Sequence, residues 1–435
     1  MCPVPQCITF GPDLYPRVNA TTCIECGLCE RVCSGENLPL DTLKTELPTP
    51  QHAHDFFGGF HQPWVVAVAD PAIRRRGASG GFVTELLVWL LERGDIDGAV
   101  VAGMDPAAPW SSTPLIARTA EELRGAAGSQ YTAVPMASVM NQMIGQASDR
   151  YAFVGVSCHV QSLRMMLKVR PHLRRKIRYV IGLFCKSAFD PDSITDLLRC
   201  NNVPLDQIET VEYRAGPWPG IMRAKLRDGG YRALHHADFK DGAYNYLVSL
   251  YTQPRCWQCY DFGNELADLA VGDPWGRDAQ GHYQYPGGHS LVIPRTAVGL
   301  DLVEAARDES RFRFELVSAD YVRSVPARYA EYRAQAVRRQ LDVLKTRGKA
   351  IPTYDRELPR PSLKVRIREA LLSAPLVLVR YPRLRYLLLT FLVSRPALVL
   401  VYLRQLAKYG IAGFRQTRHA HEQPFTDADA PACPR

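Results

Sequence analysis

The sequence predicts a mixed α/β (α+β) core, preceded by a cysteine-rich segment and followed by a basic, apolar helical extension. Three observations predict it. A strand, a glycine turn, a helix and a second strand follow one another between residues 64 and 103, and the rhythm returns between 151 and 185. Four cysteines recur at steps of three, three and four from Cys23 to Cys33. From Arg360 to Arg418, twelve Lys or Arg residues face Glu369 alone.

At 435 residues and 46% hydrophobic content, the chain reads as globular, with two or three domains' worth of core. The divisions expected are a ferredoxin-like segment and linker (1–60), two core domains (61–150 and 151–330) and the extension (331–435). The net charge of +9 resides in the extension, which leaves residues 1–359 close to neutral. That distribution argues against a nucleic-acid partner, whose binding face would lie on the folded domains. Twelve cysteines without a secretory signal point to a reducing cytoplasm and to metal ligation. Cys2, Cys7, Cys200 and Cys433 belong to no motif and read as ordinary cysteines.

Cys23, Cys26, Cys29 and Cys33 form C-x2-C-x2-C-x3-C, the spacing of a bacterial ferredoxin iron–sulfur loop. Each two-residue step curls the backbone so that successive thiolates converge and amides turn toward the sulfurs. Gly27 supplies the dihedral freedom such wrapping needs. In two-cluster ferredoxins the fourth cysteine ligates a different cluster. Cys23, Cys26 and Cys29 therefore need one remote partner, and Cys33 needs three. Cys158, Cys185, Cys256 and Cys259 bring the set to the complement of two 4Fe-4S clusters. A zinc site more often shows two separated pairs, and a disulfide framework needs an oxidising compartment.

Along the core, residues 64–69 are an apolar, Val-rich run that reads as a buried strand. Arg74, Arg75 and Arg76 then precede Ser79-Gly80-Gly81, which opens a helix expected over 82–92. Free amides and the helix dipole at that turn can hold a phosphate, although a plain serine cap explains the same residues. Neither G-x-G-x-x-G after a strand nor G-x-x-x-x-G-K-[ST] is present, which argues against a Rossmann or P-loop nucleotide site. A second strand is expected over 98–103. Gly128-Ser129-Gln130-Tyr131 offers hydrogen-bonding and stacking groups, or an ordinary surface turn.

The strand 151–156 delivers Ser157, Cys158 and His159, a basic helix covers 160–173, and the strand 179–184 delivers Cys185 and Lys186. Open α/β sheets build their sites at such carboxyl ends. His159 is either a proton donor or a structural histidine, and Lys186 either offsets negative charge or is solvated. Residues 211–214 and 223–227 read as a β-hairpin. Cys256 and Cys259 lie in an irregular aromatic stretch that 269–276 closes.

Taken together, these pieces resemble the coenzyme F-420 hydrogenase/dehydrogenase beta-subunit family over residues 23–276. The resemblance rests on the cysteine loop, on Ser79-Gly80-Gly81 and Gly128-Ser129-Gln130-Tyr131, and on Val154-Gly155-Val156-Ser157-Cys158-His159-Val160-Gln161. Gly182-Leu183-Phe184-Cys185, Cys256-Trp257-Gln258-Cys259-Tyr260-Asp261 and Val271-Gly272-Asp273 complete it. It implies a flavin-binding core with Ser79, Gly80, Gly81, Ser129, Gln130, Tyr131 and Ser157 at FAD. Cys158, Cys185, Cys256 and Cys259 would hold the cluster nearest the flavin, and the amino-terminal loop a second one facing a low-potential carrier such as ferredoxin. Electrons would enter singly through the clusters, pair on FAD and leave as hydride to a small-molecule substrate, with coenzyme F-420 a common carrier of the family. His159 and Lys186 are the catalytic candidates. Two departures stand out: Ser157, where the family commonly has proline, and Ser34, where ferredoxin loops have proline. Neither removes a ligand, and the breadth of the family leaves the substrate unnamed.

In the extension, 370–379, 386–394 and 396–403 are apolar runs interrupted by Arg380, Pro382, Arg383, Arg385 and Arg395-Pro396. None reaches the roughly 20 residues a spanning helix needs. Basic residues around such runs suit peripheral contact with an anionic cytoplasmic leaflet through 360–418. A packed extension or a homo-oligomer contact is the competing account. The expectation is a cytoplasmic FAD and iron–sulfur oxidoreductase, membrane-associated if the first account of the extension holds. The rivals are a non-catalytic electron-transfer subunit of a larger complex and a structural zinc protein.

Overall fold

Short apolar runs set between Gly, Pro and Asp become the strands of this chain. A computed structural model describes residues 2–47, 50–140, 149–235, 243–280, 282–373 and 381–397, with Gln142, Val399, Leu403 and Leu406. The apolar runs at 370–379 and 396–403 fall partly outside the described residues, and Cys433 wholly outside.

In the amino-terminal segment, β1 (Ile8–Phe10) pairs antiparallel with β2 (Pro16–Val18), and β3 (Asn37–Leu38) follows the cysteine loop. The core supplies β4 (Trp64–Val68), β5 (Gly98–Met104), β6 (Ser112–Ala117), β7 (Tyr151–Val156) and β8 (Ile177–Leu183). A separate antiparallel sheet contains β9 (Ile208–Ala215), β10 (Ile221–Leu226) and β11 (Tyr231–Ala233), and includes the expected hairpin. The chain then returns through β12 (Leu269–Gly272), β13 (Ser290–Pro294) and β14 (Phe312–Leu316), and β15 (Thr353–Tyr354) pairs with β3.

The main sheet has eight strands in the order β14-β4-β13-β12-β8-β7-β5-β6. β12, β8, β7 and β5 run parallel, and the strands outside them pair antiparallel. Alternate side chains serve opposite faces. Val66, Val68, Ala99, Val101, Ala152 and Val154 pack with the helices Phe82–Glu92 and Ala297–Arg307. Val100, Tyr151, Phe153 and Val180 face the helices Ser157–Val169 and Arg328–Thr346. Strands covered on both sides read as continuous apolar runs, which is why they could be found in the sequence.

Several boundaries differ from expectation: the strand expected over 179–184 runs Ile177–Leu183, and one helix differs more. The helix expected from 160 begins at Ser157, directly after β7, so Cys158 and His159 ride on its first turn; it ends at Val169, two residues before Pro171.

The amino-terminal segment is tied down by charge. Glu265, whose side chain is fully buried, receives Lys44 Nζ at 2.8 Å and Arg356 Nη1 at 3.0 Å, and Arg356 Nε donates to Asp41 at 3.0 Å. Removing one partner of such a knot would strand a buried charge. In the extension, the helix Pro382–Val393 packs Leu389 and Val393 against the small sheet's helices, with Arg385 3.4 Å from Asp192. Its opposite face leaves Leu387 61% and Phe391 53% exposed. Among the described residues no helix is long and apolar enough to cross a membrane.

Candidate functional site

The carboxyl ends of β7 and β8 organise the site. β7 hands the chain straight into a helix whose first turn carries Ser157, Cys158 and His159. After β8, Phe184 N donates to Val271 O at 2.9 Å and Cys185 N to Phe262 O at 3.2 Å, which fixes Cys185 beside the incoming loop; Lys186 follows. A tight turn at Pro254–Gln258 delivers Cys256 and then Cys259. The four cysteines gather from three separated stretches of chain. They keep partial solvent access, yet desolvation pushes all four thiols above their usual range, Cys259 up to about 12. Mutual repulsion adds to this: Cys158 and Cys185 each feel Cys256 and Cys259. Buried Arg333 opposes it. Its guanidinium donates to the carbonyls of Cys259, at 3.0 Å, and Cys256, and its charge favours the thiolates of Cys185, Cys256 and Cys259.

In the amino-terminal loop, Gly27 has φ 66° and Glu25 φ 51°, so two left-handed residues make the curl. The amides of Glu25 and Gly35 point at the sulfurs of Cys23 and Cys33, at 3.4 and 3.3 Å. The loop is docked on the core: Ser34 N donates to Ser162 Oγ at 3.3 Å, and Arg255 Nη2 to Ser34 O at 2.9 Å. The N–H hydrogen bond to Ser162 is one that a proline at position 34 could not make. Cys23, Cys26 and Cys29 line a recess together with Cys2 and Cys7. Among the described residues, no three His, Cys, Asp or Glu side chains converge as ligands for a single metal ion.

The other candidates fall into two groups along the same edge. Gly80 N and Ser79 Oγ both bond Ser290 Oγ, at 3.0 and 2.9 Å, and Gly81, at φ 73°, starts the helix Phe82–Glu92. A methyl on Gly80 would lie 2.5 Å from Val66 O and 2.6 Å from Ser290 N, so only glycine fits this crossing. In the second group, Gln130 Oε1 accepts from Ser112 Oγ at 2.9 Å, and Tyr131 bonds Ser129 and Arg214. Burial pushes the Tyr131 phenol up to about 12. Arg214 in turn makes two 2.9 Å bonds to Asp273 at the end of β12, where Trp218 Nε1 also donates and its ring packs on Trp275. Ser157 Oγ and Ser187 Oγ are buried without a partner. His159 bonds the Val134 backbone, and its enclosure holds it down at about 4, so the imidazole is neutral at physiological pH.

Sequence reasoning missed several of these groups. Arg333, Arg214 and Asn264, whose amide bonds Gly155 O and Leu183 O at the ends of β7 and β8, carry no local spacing signal because their partners lie far away in the chain. Cys2 and Cys7 fit no spacing rule either; their one signal is that they are cysteines shortly before a cysteine loop.

Residues 64–141 match the family model described as coenzyme F-420 hydrogenase/dehydrogenase, beta subunit N-term, and residues 148–320 the corresponding C terminus. The coenzyme F-420 hydrogenase subunit beta of Methanosarcina barkeri is 28% identical over 249 residues, 56% of this chain and 77% of that protein. The coenzyme F-420-dependent sulfite reductase of Methanocaldococcus jannaschii is 25% identical over 320 residues, 66% of this chain but 46% of that protein. The chloroplastic 7-hydroxymethyl chlorophyll a reductase of Oryza sativa subsp. japonica is 28% identical over 194 residues, 44% of this chain and 39% of that protein. Among solved structures, a chain of the F-420-reducing [NiFe] hydrogenase complex of Methanosarcina barkeri superposes with a TM-score of 0.54 at 23% identity. It covers 68% of this chain and 97% of its own length, a likeness of fold.

Proposed function

We propose that this chain, which belongs to the coenzyme F-420 hydrogenase/dehydrogenase beta-subunit family, is an iron–sulfur flavoprotein oxidoreductase. It relays electrons between a ferredoxin-like or F-420-type carrier and a small-molecule substrate. The observation that carries this reading is the gathering of Cys158, Cys185, Cys256 and Cys259 at the carboxyl ends of β7 and β8, beside Arg333.

The donor set fits a cluster. Four thiols that resist ionisation through desolvation and mutual repulsion need a strongly cationic centre to be held as thiolates. A cubane spreads its four thiolates more widely than one zinc ion does. The unpartnered hydroxyls of Ser157 and Ser187, the tight turn at Ser79-Gly80-Gly81, and the Tyr131–Arg214–Asp273 wall fit a flavin along the same edge.

Bound there, the clusters and FAD supply one-electron transfer and its pairing into two-electron chemistry. The chain supplies position and charge. Arg333 fixes the two carbonyls of the Cys256–Cys259 turn and sets a positive charge beside the thiolates. Lys186 is assigned to charge compensation next to Cys185. His159, held neutral, is assigned to positioning the first helical turn that carries Cys158. The exposed Leu387 and Phe391, in a basic extension, support peripheral contact with an anionic surface.

The second reading is an electron-transfer subunit docked on a separate catalytic chain. It is favoured by the solved neighbour, which belongs to a hydrogenase complex. Turnover by this chain alone, with a reduced donor and an acceptor, eliminates it. The deciding measurement is iron, acid-labile sulfide and flavin per chain after anaerobic purification. About eight irons, about eight sulfides and about one FAD are expected. About four irons with FAD would retire one cluster, and zinc without sulfide or flavin would overturn the redox reading.

A further inference from the structure

We infer that Cys7 is the fourth ligand of the amino-terminal cluster, closing the set begun by Cys23, Cys26 and Cys29, and that Cys33 is not part of it. This deepens the iron–sulfur reading above and rests on it. Three local cysteines at steps of three leave one cluster iron without a protein ligand, and that ligand must come from elsewhere in the chain.

Cys7 meets the requirement in three ways. It lines the same recess as Cys23, Cys26 and Cys29, whereas Cys33 does not. It is 2% exposed, although the three loop cysteines stand near the surface. It is also held rigidly in register with them through Asn19. Asn19 N donates to Cys7 O at 2.8 Å, while Asn19 O accepts from Cys23 N at 3.0 Å and from Thr22 N at 3.2 Å. The β1–β2 hairpin thus carries Cys7 and the entrance of the loop as one unit.

Cys33 faces another way. Its sulfur accepts from Gly35 N at 3.3 Å, and a side chain added at Gly35 would meet both Cys33 Sγ and the Arg255 guanidinium. That direction leads toward the second cysteine set, which already has four sulfurs of its own. Cys2 also borders the recess and its thiol hydrogen-bonds that of Cys7, but the Asn19 bonds that fix Cys7 against Cys23 do not include it. On ligation the Cys7 thiol gives its proton to solvent and its sulfur forms the iron–sulfur bond, with no change of oxidation state.

The test is C7S, C2S and C33S, each compared with the parent for iron, sulfide, FAD and EPR of the oxidised and dithionite-reduced protein. C7S is expected to lose one to four irons of about eight, with a three-iron EPR signal or loss of one reduced-cluster signal, while FAD and the other cluster persist. C2S and C33S should keep the parent's iron and spectra. Full iron in C7S, or loss of that cluster in C33S or C2S, overturns the assignment. Should C7S fail to fold, alkylation of the parent decides: Cys33 is expected to react with both clusters in place and Cys7 only after the iron is stripped. Protection of Cys33 in the holoprotein overturns the inference. A parent without iron refutes the relay reading itself, a different outcome from an unchanged C7S.

Discussion

Arg214 and Asp273 join the small sheet to the end of β12, and their removal gives a quantitative test of the candidate flavin edge. The Arg214 side chain is 3% exposed and Asp273's is 17% exposed. The pair makes two bonds of 2.9 Å, Arg214 Nε adds a third to Pro219 O at 3.0 Å, and Trp218 Nε1 holds Asp273 at 2.9 Å. Arg214→Met removes the cation and leaves the carboxylate enclosed with the indole as its remaining named donor. Deleting one partner of a buried pair costs about 3–5 kcal/mol, in line with two charge-assisted bonds of about 1.5–3 kcal/mol each, partly offset by solvation. Arg214→Met combined with Asp273→Leu removes both charges and should recover most of that loss. Anaerobic denaturant unfolding of the parent, both single variants and the double variant closes the cycle. Both Arg214→Met proteins should bind FAD more weakly, because Tyr131 loses one of its two named partners and keeps Ser129. A drop below about 1 kcal/mol for Arg214→Met, or a double variant no more stable than the single, would refute the desolvated pair and the site built on it.

Three further outcomes are expected. Gly80→Ala drives a methyl between two backbones, so it should cost about 1–3 kcal/mol and lower flavin content, read by thermal melt and flavin fluorescence. Ser157→Ala removes a hydroxyl that has no protein partner; flavin-free stability should hold while the FAD dissociation constant rises about two- to tenfold. An unchanged constant would detach Ser157 from the flavin. Leu387→Glu with Phe391→Glu alters exposed positions, so the fold should persist while co-sedimentation with anionic vesicles is lost. A parent that does not co-sediment ends the case for peripheral contact.

What the sequence revealed follows from range. Strands buried on both faces announce themselves as apolar runs because that signal is local; the cysteines at steps of three are an equally local pattern, and the cluster they suggest is the proposal above. The serine at 34 looked like a lost proline and turns out to donate a backbone N–H hydrogen bond to Ser162 Oγ. Ser157 looked similar, and its hydroxyl is buried without a partner. Arg333 and Arg214 were illegible for the opposite reason: each acts on residues brought near only by the finished sheet. Cys7 was set aside because no spacing rule links it to Cys23. The link is a hairpin, a property of the backbone.

The order of the main sheet also bears on how the protein is made. β4 is synthesised early, yet its sheet neighbours are β13 and β14, which leave the ribosome long after it. Until they arrive, Val65–Val68, a segment of a strand enclosed in the finished protein, offers unpaired backbone and apolar side chains. Biogenesis therefore has a vulnerable interval that ends only when about three quarters of the chain exists, which favours assistance by a holding chaperone. For the same reason, the sheet is divided between the two family segments, so neither segment alone contains every strand that encloses β4.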